Sequence, residues 1–151
     1  MPDYTQILRE FTPEKFNEVV LTSARKAREV YFHRHGIRAP KSSGRIVKPG
    51  AKNEIRCAEL YRVLSEKKDE ELAEEILRSW LLTKREMLAA ALDHLKIPHD
   101  NGLTESDDVK QFEKLKGEHL RGMIAKLNEY APKEEVVAYL KFMGTDVSDK
   151  S

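Results

Sequence analysis

Two lysines and a histidine are candidate chemical groups, because helical periodicity places them among apolar side chains. At 100° per residue, Lys84 falls at the centre of one predicted apolar stripe. Lys116 falls within the stripe of the next predicted helix, and His119 lies at its edge. A desolvated lysine acts as a general base or Schiff-base nucleophile, or binds an anion in a cleft. These three residues define a possible cleft, although a solvent-facing position or a glutamate partner explains the lysines more simply.

The histidine spacing does not predict a metal site. His33 and His35 are two residues apart at a predicted helix end and would diverge on a helix, where metal ligands need i, i+3 or i+4 spacing. An acidic stretch over residues 100–108 also fails as a calcium loop. With Gly102 at its sixth position, Ile97 and His99 would occupy oxygen-ligand positions. We therefore predict no metal.

The chain carries none of the local motifs of nucleophilic or nucleotide chemistry. No Gly-x-Ser-x-Gly, Walker-type Gly-Lys-Ser/Thr or Gly-x-Gly-x-x-Gly occurs. The single cysteine, Cys57, lies on a predicted apolar helix face, which is typical of an inert core residue. The sequence thus predicts no catalytic residue and no cofactor, and it favours a protein that is not an enzyme.

Positive charge is concentrated in one part of the chain. Residues 25–56 hold ten basic side chains against two acidic ones, a net charge of +8. Clustered basic groups suit phosphate contact, because each neutralised phosphate releases counterions. A solvated surface or pairing with acidic helices would explain the same charge, and residues 36–52 contain no aromatic side chain on which a base could stack. The candidate residues for binding nucleic acid or another anion are Arg34, Arg38, Lys41, Arg45, Lys48 and Lys52.

Length and composition predict one soluble, cytoplasmic domain spanning residues 1–151. The chain has 151 residues, 27 Lys+Arg against 26 Asp+Glu, and 40 % hydrophobic residues. A domain of this size buries enough surface to fold without disulfides or structural metal, and one cysteine favours a reducing compartment. The polar N-terminus does not resemble a signal peptide. The longest apolar run is also too short to span a membrane.

The periodicity predicts an all-α fold, a bundle of about five helices. A Thr12-Pro13 cap begins the first helix and Gly36 ends it. A second helix begins at Asn53, and a fourth begins at a Thr104 capping box. The remaining predicted parts are an N-terminal segment (1–11), a long basic loop (36–52), a long central helix (69–96), a fifth helix from Pro132 to Gly144, and a flexible tail (145–151).

The combined pattern favours a non-enzymatic helical scaffold that binds another protein or a second copy of itself. Leu82 and Ala89 lie on the back of the predicted central helix, opposite its apolar stripe. An apolar residue there is either sandwiched in the core or exposed at an interface. Two alternatives stay open: nucleic-acid binding through residues 25–56, and a small-molecule binder or enzyme with a cleft lysine.

Overall fold

The computed structural model describes residues 3–22, 25–37, 51–66 and 69–147, and within these ranges the chain is helical and has no strand. The all-α prediction is confirmed. The described helices are α1 (Tyr4–Arg9), α2 (Pro13–Leu21), α3 (Arg25–Arg34), α4 (Ala51–Glu66), α5 (Glu70–Leu81), α6 (Arg85–His94), a 3₁₀ helix (Asp107–Lys114), α7 (Gly117–Leu127) and α8 (Lys133–Phe142). They divide into two compact units, an N-terminal unit (Asp3–Trp80) and a C-terminal unit (81–147), each treated separately.

Aromatic side chains form the centre of the N-terminal unit, where α1 and α2 pack on α4 and α3 packs on α2. The rings of Phe11 and Trp80 meet edge to face at 5.6 Å, and those of Phe16 and Tyr61 at 5.0 Å. Such pairs add stabilisation beyond their buried area. Trp80 has no exposed surface and anchors this core.

Two carboxylates at the start of α5 connect distant parts of the N-terminal unit. Glu70 accepts hydrogen bonds from the backbone N–H groups of Tyr4 (2.8 Å) and Thr5 (3.1 Å), which lack partners within α1. Asp69 caps α5 by accepting from the Leu72 N–H, and it also pairs with side chains at the end of α3. These two residues therefore connect the start of α1 and the end of α3 to the start of α5.

In the C-terminal unit, α6 packs on α7 and α7 packs on α8. The 3₁₀ helix is attached to this group by Phe112, whose ring meets Tyr139 edge to face at 5.8 Å. The buried Thr145 hydroxyl donates to the Phe112 carbonyl oxygen at 2.7 Å, so this end of α8 also holds the 3₁₀ helix. The main buried side chains are Met87, Leu88, Leu120, Met123, Leu127, Val136 and Leu140.

The prediction of one long central helix (69–96) is wrong. The chain forms two helices there, α5 and α6, separated by a turn at residues 82–84. Lys84 has a non-helical backbone (φ −110°, ψ 45°), and its N–H donates to the Leu81 carbonyl oxygen. On an unbroken helix Lys84 would sit inside the apolar stripe, where an unpaired cation is costly. The turn leaves the side chain half-buried, within reach of a carboxylate on α8.

Other predicted helix boundaries also change. Separate helices α2 and α3 replace the predicted first helix, and the predicted fourth helix becomes the 3₁₀ helix followed by α7. Thr104 is not the cap: Ser106 accepts from the Asp108 N–H, and Thr104 instead donates to the Pro98 carbonyl oxygen. Asn53 lies inside α4, which begins at Ala51, and the short helix α1 lies within the predicted N-terminal segment.

Several local stop and start signals are confirmed. Thr12 accepts from the Lys15 N–H at 3.1 Å, as an N-cap does. Gly36 (φ +68°) and Gly144 (φ +92°) end α3 and α8 in the left-handed conformation that glycine favours. Asn101 and Gly102 both have positive φ, as the two central residues of a tight type I′ turn require.

Three features stay predictions: the basic loop, the end of the tail and the organisation as one domain. Most of the basic loop, residues 38–50, lies outside the described residues, and so does the end of the predicted tail, residues 148–151. The organisation as one domain is likewise a prediction. Among the described helices none is long and apolar enough to cross a membrane.

Candidate functional site

The basic segment contributes one fully described candidate side chain, and that side chain is paired. Arg34 lies 2.7 Å from an Asp69 carboxylate oxygen and 3.6 Å from one of Glu71, and the Asp69 charge raises the pKa of the guanidinium. Lys52 lies on α4. The other four candidates, Arg38, Lys41, Arg45 and Lys48, lie outside the described residues.

A second arginine of this segment is also used internally. Arg56, on α4, is largely buried and donates two hydrogen bonds of 2.8 Å to the Glu29 carboxylate on α3. Its guanidinium stacks over the Phe32 ring, 4.2 Å from the ring centre. Paired and stacked in this way, Arg56 stabilises the α3–α4 contact. No local pattern predicts this arrangement, because Glu29 and Arg56 are 27 residues apart in the chain.

The three predicted cleft residues do not share one cleft. Lys84 lines one cleft of the C-terminal unit and His119 lines another, while Lys116 is exposed and lines neither. The Tyr130 cleft is lined by Thr83, Lys84, Arg85, Glu86, Met87 and Tyr130. The His119 cleft is lined by His94, Leu95, Gln111, Lys114, Leu115 and His119.

The two cations of the Tyr130 cleft, which has a volume of about 240 Å³, are held by groups of the protein itself. Lys84 Nζ lies 3.1 Å from Glu135 Oε1, and the Glu135 side chain is 4 % exposed. Arg85 donates to the carbonyl oxygens of Leu82 (3.1 Å) and Asn101 (3.3 Å). Lys84, a candidate cleft residue for which a glutamate partner was the simpler expectation, is therefore the partner of a buried carboxylate.

Apolar surface is exposed at the Tyr130 cleft. The Tyr130 side chain is 47 % exposed, and Leu82, which precedes Thr83 of the lining, is 42 % exposed. Lys126 lies over the Tyr130 ring, 5.9 Å from its centre, and also pairs with Glu129 at 3.2 Å. Glu129 raises the pKa of the Lys126 ammonium. Tyr130 thus presents a supported aromatic ring to solvent.

The His119 cleft has a similar volume, about 280 Å³, but its polar groups are not engaged. Within the described part of the chain, no hydrogen-bond or ion-pair partner faces the side chains of His94, Gln111, Lys114 and His119. Leu95 and the largely buried Leu115 supply apolar wall. Two other histidines differ: His35 contacts Asp69 and His99 contacts Asp93. The cleft gathers four uncommitted polar side chains and no carboxylate.

The described residues contain no group of three or more His, Cys, Asp or Glu side chains placed to hold a metal ion. Cys57 is buried in the N-terminal unit. Comparison with known proteins gives no match: no protein-family model, no curated protein and no solved structure matches the chain.

Proposed function

We propose that this chain is a non-enzymatic helical module that binds protein surfaces, and that its Tyr130 cleft docks a second copy of the chain. The observation that carries the proposal is the exposed Tyr130 side chain in the cleft lining, together with the exposed Leu82, which precedes the lining residue Thr83 in the chain. Tyrosine is enriched among the residues that contribute most to protein interfaces. An aromatic ring braced by Lys126 suits the centre of such a contact.

The chemistry of this cleft favours a protein over a small molecule. Lys84 is already paired with the Glu135 carboxylate and offers little to a polar ligand, whereas Arg85 is held by two neutral carbonyl oxygens and keeps its charge available. A flat apolar contact around Tyr130 leaves the Lys84 pair in place.

Charge complementarity favours a second copy as the partner. Arg85 and Glu86 are neighbours in the cleft lining and carry opposite charges. A two-fold interface brings the same patch of both copies together, so Arg85 of one copy can approach Glu86 of the other. Because the exposed patch is small, we expect a weak dimer with a Kd on the order of tens of micromolar.

Sedimentation equilibrium of the full chain over about 10–500 µM tests this proposal. We expect concentration-dependent dimerisation that falls at least tenfold in Tyr130→Ala and in Leu82→Ser. The matched control is Leu103→Ser, because Leu103 is 43 % exposed in the same unit but, unlike Leu82, is not adjacent in the chain to a lining residue of the cleft. A monomer throughout the range, or equal losses in the two leucine variants, would contradict the proposal.

Charge reversal then identifies the docking geometry. Arg85→Glu and Glu86→Arg should each weaken self-association, because each places like charges opposite one another. A mixture of the two variants should associate more strongly than either alone, since one copy then carries two glutamates and the other two arginines, and both contacts across the interface are again complementary. Circular dichroism of each variant checks that the loss of the Arg85 hydrogen bonds leaves the fold intact. Failure of the mixture to recover association would exclude this geometry.

Nucleic-acid binding through residues 25–56 is the alternative that the sequence leaves open. The described arginines Arg34 and Arg56 are neutralised by Asp69 and Glu29, which reduces the charge available for phosphates. The alternative predicts affinity that falls steeply with salt and is lost when Arg38, Lys41, Arg45 and Lys48 become serine. Absent or salt-insensitive binding would exclude it.

A further inference from the structure

The four uncommitted polar side chains of the His119 cleft come from three elements that meet at one place. His94 is the last residue of α6, Gln111 and Lys114 belong to the 3₁₀ helix, and His119 lies in the first turn of α7. The contact of Phe112 with Tyr139 and its hydrogen bond from Thr145 fix the 3₁₀ helix in place. The cleft is therefore built by tertiary packing.

We propose that the His119 cleft binds a small phosphate monoester. Imidazole, ammonium and amide groups are all hydrogen-bond donors, and the lysine and protonated imidazoles carry positive charge. No carboxylate lines the cleft to repel an anion. Leu95 and Leu115 provide an apolar wall for the organic part of the ligand. The site is independent of self-association, because it shares no lining residue with the Tyr130 cleft.

Two of the other three histidines are paired within the protein, whereas the exposed His33, like the cleft histidines, has no partner in the described part of the chain. His35 and His99 contact Asp69 and Asp93, so their rings are occupied by carboxylates of the protein itself. The rings of His94 and His119 have no carboxylate partner in the described part of the chain. Both line the cleft together with Gln111 and Lys114. An external anion would take the place that the two aspartates hold elsewhere.

Titration of the full chain with phenyl phosphate at fixed pH, followed by the NMR resonances of the imidazole rings, tests the proposal. His94→Gln and His119→Gln assign the two cleft resonances. We expect both to shift and saturate with a Kd of about 1 mM or below. His33, His35 and His99 serve as internal controls whose resonances stay in place. Parallel, unsaturated movement of all five resonances would overturn the proposal.

A matched pair of lysine variants separates the cleft from the general charge of the 3₁₀ helix. Lys110 and Lys114 are both exposed, without a described partner, and lie on the same helix, but only Lys114 lines the cleft. We expect Lys114→Met to weaken phenyl phosphate binding at least fivefold and Lys110→Met to change it less than twofold. Equal effects of the two substitutions would mean non-specific attraction and would overturn the site.

Comparing phenyl phosphate with inorganic phosphate, which has no organic group, tests the contribution of the apolar wall. Inorganic phosphate should bind the same residues about tenfold more weakly than phenyl phosphate, because it cannot contact Leu95 and Leu115. Equal affinity of the two probes would overturn the assignment of a monoester. Circular dichroism spectra of all variants confirm that the helices are unchanged.

Discussion

The two clefts of the C-terminal unit are similar in volume but differ in how their polar groups are satisfied. In the Tyr130 cleft, Lys84 pairs with the buried Glu135. In the His119 cleft, Lys114 has no partner within the described residues. A charged group that is paired inside the protein supports the fold, whereas an unpaired one at the surface is available to a ligand. Cleft volume alone does not distinguish these two roles.

The largest loss of stability should come from adding a side chain at Gly102. This residue lies in the Asn101-Gly102 turn, whose Asn101 carbonyl oxygen accepts from Arg85 of the Tyr130 cleft. A Cβ on Gly102 would lie 2.9 Å from Leu88 Cβ and 3.0 Å from the Arg85 carbonyl oxygen, and Gly102 has φ +87°. We expect Gly102→Ala to lower the free energy of unfolding by about 3 kcal/mol, from both strain and overlap. Urea denaturation measures this loss.

Gly36→Ala is the control, because Gly36 also has positive φ (+68°) but has no atom within 4 Å of the added Cβ. Its cost should be about 1 kcal/mol, from backbone strain alone. Equal losses for the two glycines would show that the packing beside Gly102 is not tight.

Replacing Lys84 should give the next largest loss of stability, and Lys114 is the lysine with which it is compared. Lys84→Met leaves the Glu135 carboxylate buried without its lysine, and we expect a loss of about 2 kcal/mol, reduced because the Lys84 side chain is 30 % exposed. Lys114→Met should change the free energy of unfolding by less than about 0.5 kcal/mol. Urea denaturation at neutral pH measures both variants.

Combining Lys84→Met with Glu135→Leu tests the cause of that loss. Removing both charges should recover part of the stability, because the buried carboxylate is removed together with the lysine that faces it. If the double variant is less stable than Lys84→Met alone, the pair is not the reason for the loss.

Alkaline pH should destabilise the C-terminal unit through Tyr139, whose ring packs on Phe112 and so holds the 3₁₀ helix of the His119 cleft. Burial raises the pKa of the Tyr139 phenol. The unfolded chain therefore releases this proton at lower pH than the folded chain does, and stability falls as the pH rises above the ordinary tyrosine pKa of about 10. The loss approaches about 1.4 kcal/mol per pH unit for this one group.

Tyr139→Phe should flatten the alkaline limb of a plot of the free energy of unfolding against pH. Tyr130→Phe is its control, because the Tyr130 side chain is largely exposed. Equal slopes for wild type and Tyr139→Phe above about pH 10 would show that this phenol is not the group responsible.

The smallest effect should come from the exposed pair beside Tyr130. Lys126 and Glu129 are separated by one helical turn, and their side chains are 43 % and 62 % exposed. We expect Lys126→Met to change the free energy of unfolding by less than about 0.5 kcal/mol, because solvent screens such pairs. It should nevertheless weaken self-association, since the ring of Tyr130 loses its neighbouring cation. Sedimentation equilibrium and urea denaturation separate these two outcomes.

Local signals in the sequence were sufficient for the helical class and for several helix ends. The Thr12 cap, the glycines at 36 and 144, and the Asn101-Gly102 turn depend on backbone geometry over a few residues, so their residue types predict them directly. The turn at residues 82–84 was not predictable in this way, because the apolar positions on both sides continue with helical spacing.

The candidate sites could not be predicted from residue spacing along the sequence alone. Periodicity correctly marked Lys84 as unusual, but its partner Glu135 lies on α8, far away in the chain. Likewise, the sequence marked His119 but not His94, Gln111 or Lys114, which the 3₁₀ helix and the ends of α6 and α7 bring to the same cleft. The exposed Leu82 was predicted to be either sandwiched or at an interface, and its exposure in the structure keeps the second possibility.

By itself the sequence determined an all-α chain, because the repeat of apolar residues and the capping residues act over one or two helical turns. Tertiary structure decided which charged groups are satisfied within the protein and which remain available, because that depends on side chains from distant helices coming within a few ångströms of each other. A lysine looks the same in the sequence whether it faces Glu135 or an empty cleft, and packing makes the difference.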